Sequence, residues 1–112
     1  MSDDRLPTEL WIKAHLRRLS VDGIGAVVVR RGEAMGGSVL IKLNQRDLGC
    51  RVLSQARALD GTLGWLAAFA GKFVAEADAD AYIARATKRD PDLWVVEIDD
   101  RAGRHAFEGK VF

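Results

Sequence analysis

Asp90-Pro91-Asp92-Leu93-Trp94-Val95-Val96-Glu97-Ile98-Asp99-Asp100 is the stretch whose reading decides the fold. It ends one helix, because the residue before a proline is steered away from α geometry. It then starts a strand. On an extended backbone Leu93, Val95, Glu97 and Asp99 project one way, and Trp94, Val96 and Ile98 the other. The Trp94 side reads as core, with Glu97 and Asp99 at the solvent end of a half-exposed strand. Asp92 reads as a cap or turn residue at the strand entry.

Upstream, residues 76–89 predict a helix whose buried face is Ala79, Tyr82, Ile83 and Ala86. Leu63, Trp65, Ala67 and Phe69 alternate as a strand, although the alanines at 62–70 also permit a helix. Ser38 to Asn44 and Cys50 to Ala56 form a hairpin around Arg46-Asp47-Leu48-Gly49, with Val39, Ile41 and Leu43 on one face and Lys42 and Asn44 on the other. Ala26-Val27-Val28-Val29 is short, continuous and mostly β-branched, so it reads as a buried strand. The first helix runs from about Thr8 to Val21, with Pro7 ahead of it and Thr8 as its cap. Ile12, Leu16 and Leu19 make its core face, Leu10, Ala14 and Val21 lie opposite, and Gly23 stops it.

Downstream, Arg101 to Arg104 is a turn and 105–112 a tail or short edge strand. Residues 1–6 are expected to fray. The order α-β-β-β-β-α-β predicts an α+β fold: a mostly antiparallel sheet of about five strands with two helices on one face. With 112 residues the chain is expected to form a single domain, 1–112.

Composition excludes several function classes. Hydrophobic residues make up 48% and charged residues 29%, which is ordinary globular usage. A net charge of +1 argues against a protein dominated by nucleic-acid or membrane electrostatics. Residues 1–57 carry ten Lys/Arg against six Asp/Glu, and residues 58–112 seven against ten, an asymmetry that folding can mix. The longest uncharged run, Gly61 to Gly71, is far short of the roughly 20 residues that span a bilayer. One cysteine, Cys50, fits a reducing compartment, and the expected location is cytoplasmic.

The chain is poor in catalytic patterns. Zinc sites need three or four ligands at tight spacing, and His15, His105 and Cys50 are far apart in sequence, so no metal or cofactor is expected. His15 reads as a packed or boundary residue and His105 as solvated. No G-x-S-x-G elbow, Walker pattern or G-x-G-x-x-G occurs, and Arg31 to Gly37 reads as a flexible hairpin loop. Pro91-Asp92 followed by Glu97-Ile98-Asp99 approaches the PD-(D/E)xK nuclease pattern, but Asp99 stands where the lysine belongs and the spacing is short. No catalytic residue is assigned.

Three functional readings follow. The leading one is a non-catalytic binding or protein-interaction domain, with an unknown protein partner or a homodimer through helix 1 or a sheet edge. The second is a nucleic-acid or phosphorylated-ligand binder using Lys13, Arg17, Arg30 and Arg31, with Trp65 or Trp94 to stack; it is not favoured. The third is a Mg-dependent enzyme using Asp92, Glu97 and Asp99. The candidate ligand-binding set is Lys13, Arg17, Arg30, Trp94, Glu97 and Asp99.

Four stretches together carry a resemblance: Leu10 to Arg18, Ala26 to Gly32, Val39 to Asn44, and Asp90 to Gly103. The chain resembles a small family of uncharacterised, mainly alphaproteobacterial proteins, classed as a domain of unknown function. The resemblance implies a stand-alone small cytoplasmic bacterial protein. It brings no activity, cofactor or catalytic residue with it.

Overall fold

The computed structural model describes residues 7–112. The expected frayed start, residues 1–6, lies outside the described residues. Two helices and six strands follow in the order α1 (Thr8–Val21), β1 (Gly25–Arg30), β2 (Val39–Asn44), β3 (Cys50–Arg57), β4 (Leu63–Ala67), α2 (Glu76–Arg89), β5 (Trp94–Asp99) and β6 (Lys110–Val111). The fold is α+β and the predicted element order holds. The sixth strand comes from the 105–112 segment, read as a tail or short edge strand. Residues 62–70 divide: β4 is a strand, and a tight turn follows, with Phe69 and Ala70 at φ 55°.

All six strands form one sheet in the order β1-β5-β2-β3-β4-β6. β5 runs antiparallel to β1 and parallel to β2, the β2-β3 and β3-β4 pairs are antiparallel, and β4-β6 is parallel. Mostly antiparallel pairing therefore holds.

The two helices cover opposite faces, not one. Ile12 and Leu19 of α1 pack with Val39, Ile41, Leu43, Trp65, Trp94, Val96 and Ile98. Ala79 and Ala86 of α2 pack with Leu40, Cys50, Val52, Leu93 and Val95. The reason lies in β5. Inserted between β1 and β2, it is apolar on both sides, with Val95 as buried as Val96, and such a strand needs a layer on each face. The half-exposed strand expected at 93–99 is thus a central one whose end alone reaches solvent.

The insertion also displaces β1 to the sheet edge. Ala26 and Val28 face the α1 core, but Val27 is 57% and Val29 56% exposed, so the expected buried strand is an open edge. A continuous β-branched run shows that a strand forms, not which neighbours it acquires.

α1 has the predicted bounds but a different cap. Pro7 holds the cap position, and Thr8 Oγ1 donates to the Gly37 carbonyl at 3.0 Å. The backbone N–H groups of Thr8 and Glu9 donate to the carbonyls of Met35 and Ala34. The loop expected to be flexible therefore closes the helix start. It also seats on the β5 entry: a Cβ at Gly32 or Gly37 would collide with the Asp92 carbonyl oxygen. Among the described residues, no helix is long and apolar enough to cross a membrane.

Candidate functional site

The candidate carboxylates are spread along the chain, and Glu97 and Asp99 are partnered separately. Asp92 precedes β5 and Asp99 ends it, about 20 Å apart at the rise of an extended chain. Asp99 accepts from Arg46 Nε at 2.9 Å on the surface. Glu97 lies 3.5 Å from the ammonium of Lys42, its neighbour across the parallel β5-β2 pair, and accepts a long bond from Asn44 Nδ2 at 3.4 Å.

Lys42 is the residue that sequence reasoning missed. Alternation puts it opposite Ile41 and Leu43, on a side that reads as solvent. That side is covered by α2, and Lys42 is only 4% exposed. Its Nζ donates to Asp80 Oδ1 at 2.7 Å and to Glu76 Oε2 at 2.8 Å, both on the first turns of α2. Burial alone would push the ammonium down. The hydrogen bonds to Asp80 and Glu76, with the charge of Glu97, carry it above the usual lysine range instead. Three carboxylates converge here, and the ammonium fills the centre they share. Among the described residues, no group of three or more His, Cys, Asp and Glu side chains is arranged to hold a metal ion. Cys50 lies near this cluster, fully inside, and burial pushes its thiol up.

Of the basic candidates only Lys13 and Arg31 meet, on the carboxylate of Glu9. Arg30 Nη1 donates to the carbonyls of Pro91 at 2.9 Å and Leu93 at 2.7 Å, which ties the end of β1 to the β5 entry. Arg31 pairs with Glu9 and lies over the Trp94 ring, 5.4 Å from its centroid. Lys13 reaches the same Glu9 at 3.7 Å. Arg17 is exposed on the outer side of α1. Trp94 is buried and donates from Nε1 to the Glu33 carbonyl at 2.7 Å; Trp65 is buried and donates to Glu108 at 2.9 Å. Both rings are structural, with no free face for a base.

The histidines sit in an aromatic cluster under α1. His15 Nδ1 donates to the Trp11 carbonyl at 2.7 Å, and its ring stacks on Phe107 at 4.6 Å. His105, expected to be solvated, is half-buried against Phe107, and burial pushes its imidazole below the usual range. A cleft of about 810 Å³ opens beside this cluster, lined by Thr8, Trp11, Met35, Gln55 and Leu63 among others. Among the described residues Arg57 is its one charged lining residue, and its guanidinium is bonded to the Gly61 carbonyl. None of the six sequence candidates lines it.

What remains unmatched is backbone. β1 pairs with β5 on one side, and among the described residues no strand pairs with its other side. The opposite sheet edge is closed by a strand of two residues, β6. β1 has six residues, no proline and no charge before Arg30. The inward lysines, prolines and short lengths that blunt natural sheet edges are missing from it. One bulge, between Val28 and Arg30, bends its exit; Gly25 to Val28 pair regularly with β5.

A family model described as a protein of unknown function (DUF1491) matches residues 6–108. The crystal structure of a DUF1491 family protein from Caulobacter crescentus CB15 is 41% identical with a TM-score of 0.85, covering 96% of this chain and 100% of that one. An NMR structure of a DUF1491 family protein from the same organism is 42% identical, with a TM-score of 0.81 and 96% of each chain covered. Protein Atu0922 from A. tumefaciens is 26% identical with a TM-score of 0.71, covering 85% of this chain and 86% of that one. No curated protein matches the chain.

Proposed function

The chain belongs to the DUF1491 family, proteins of unknown function, and from that premise we propose that it is an interaction domain that works by accepting an extended segment along the outer edge of β1. The observation that carries this is the pairing of exposed Val27 and Val29 with a row of backbone donors and acceptors that no strand takes up among the described residues. Main-chain bonds along such an edge supply affinity, and side chains on alternate positions supply selectivity. The charged residues support the same reading. Glu97, Asp99, Arg30, Arg31 and Lys13 each have a partner within the chain, so they serve the fold.

The outer side of α1 is the other surface on which association was expected. Leu10 and Val21, placed opposite the core face, are exposed there, but Lys13, Arg17 and Arg18 stand between them, and their hydration opposes burial. β1 has no such interruption. A buried free cysteine is compatible with cytoplasmic work.

The test is a titration of the ¹⁵N-labelled chain with a synthetic extended peptide of alternating Thr and Val. Shifts confined to Gly25–Arg30 and the adjacent β5 amides are expected. Shifts at the Trp11–Leu63 cleft or the outer side of α1, with β1 unmoved, would overturn the reading.

A further inference from the structure

We infer that the segment taken up by β1 is β1 of a second copy of this chain, added antiparallel so that Val27 faces Val27 across a two-fold axis. The inference rests on the edge reading above and names its partner.

Symmetry limits the register of such a pair. Residues facing each other in an antiparallel pair share a face of the sheet. A two-fold pair must therefore centre on a residue, with positions equally far from it opposed. Centring on Val28 carries the pairing across the bulge and sets Arg30 against Ala26. Centring on Val27 keeps it within Gly25–Val29, mostly in the regular part of the strand.

The side chains then match in size. On the α2 side, Val27 meets Val27, and Val29 of each copy comes over Gly25 of the other, which has no side chain to obstruct it. On the α1 side, Ala26 meets Val28, small against large. The exposed valines of the two copies become one apolar strip, centred on a β-branched Val27 pair of the kind that sheets favour.

The charges match too. Each β1 is entered past exposed Asp22 and left through Arg30 and Arg31. Antiparallel addition sets the basic exit of one copy beside the acidic entry of the other, and no like charges face each other across the axis. A net charge of +1 leaves little repulsion to oppose association.

The experiment is sedimentation equilibrium of the full chain across the micromolar range, with three variants. The wild type is expected to approach twice the chain mass. Val27→Lys sets two ammonium groups on the axis and should weaken association by more than about tenfold. Its far-ultraviolet spectrum should stay unchanged, and its melting point should match that of wild type diluted to the monomer, because Val27 is exposed within one copy. Val27→Cys should cross-link to itself under mild oxidation, whereas Val29→Cys, opposite a glycine, should not; the native Cys50 is buried and does not interfere.

A wild type that stays monomeric throughout overturns the self-pairing. If that monomer still takes the Thr–Val peptide at β1, the edge reading stands and only the partner is wrong. A dimer untouched by Val27→Lys places the contact elsewhere and overturns the inference outright. Cross-linking through Val29→Cys but not Val27→Cys overturns the register.

Discussion

Lys42 lies with its stem in the apolar layer under α2 and its ammonium among Glu76, Asp80 and Glu97. Replacing it by methionine keeps the stem but leaves three carboxylates facing one another. Because Glu76 and Asp80 are more than half exposed, water relieves part of the repulsion. Lys42→Met should cost about 2 kcal/mol in denaturant unfolding, less than a fully buried charge pair would. Adding Glu97→Gln should restore part of that loss; no restoration would mean that packing, not charge, sets the cost. His105 predicts a pH effect. Its folded pKa lies below the ordinary 6.5, so the unfolded chain takes up the proton first as pH falls. The stability this neutral ring contributes is complete above about 6.5 and is lost below it. His105→Gln should flatten the fall in melting temperature between about pH 7 and pH 5. Asp100 acts lower still: hydrogen bonds from Arg104 hold its carboxyl at about 2, so its contribution, complete above about 4, is lost as pH falls through 2. None of this was legible residue by residue. The helix that buries Lys42 begins 34 residues later, at Glu76, and the Phe107 on which His105 stacks sits in a segment without periodicity.

Both helices were legible because their signals are local. Apolar spacing, Pro7, Gly23 and the Asp90-Pro91 stop fixed α1 and α2 to their observed bounds. The hairpin of β2 and β3 was legible for the same reason, with Gly49 at φ 108° in its turn. Misread elements were those whose meaning depends on a distant neighbour. The Gly32–Gly37 loop looked flexible, yet it caps α1 and lies on the Asp92 carbonyl. Gly37→Ala should therefore destabilise the chain by about 2 kcal/mol or more, through overpacking against backbone that cannot rotate away. Gly36→Ala, with open space around it, should be close to neutral. Equal effects of the two substitutions in thermal unfolding would contradict this account of the loop.

Topology sets what the molecule offers to others. The return of β5 between β1 and β2 made a central strand out of one read as half-exposed, and an edge out of one read as buried. Sequence order shows which strands exist; strand order across the sheet depends on long-range pairing, and so do the sides that the helices cover. The family resemblance carried by Leu10 to Arg18, Ala26 to Gly32, Val39 to Asn44 and Asp90 to Gly103 was legible, and the family match spans all four stretches. The candidate site was legible only in its parts. Lys13, Arg17, Arg30, Trp94, Glu97 and Asp99 are scattered over the ion pairs, the core and the surface, while the β1 edge emerges only when the sheet is assembled.

The central claim is that the outer edge of β1 is the contact surface of this chain, and amide hydrogen exchange tests it most directly. Spectra of dilute and concentrated wild type should differ at the amides of Gly25–Arg30 that point away from β5. These should exchange freely when dilute and slow when concentrated, and Val27→Lys should keep them fast at every concentration. Outward β1 amides that exchange equally fast at all concentrations, while protection grows on the outer side of α1 or around the Trp11 cleft, would contradict the account.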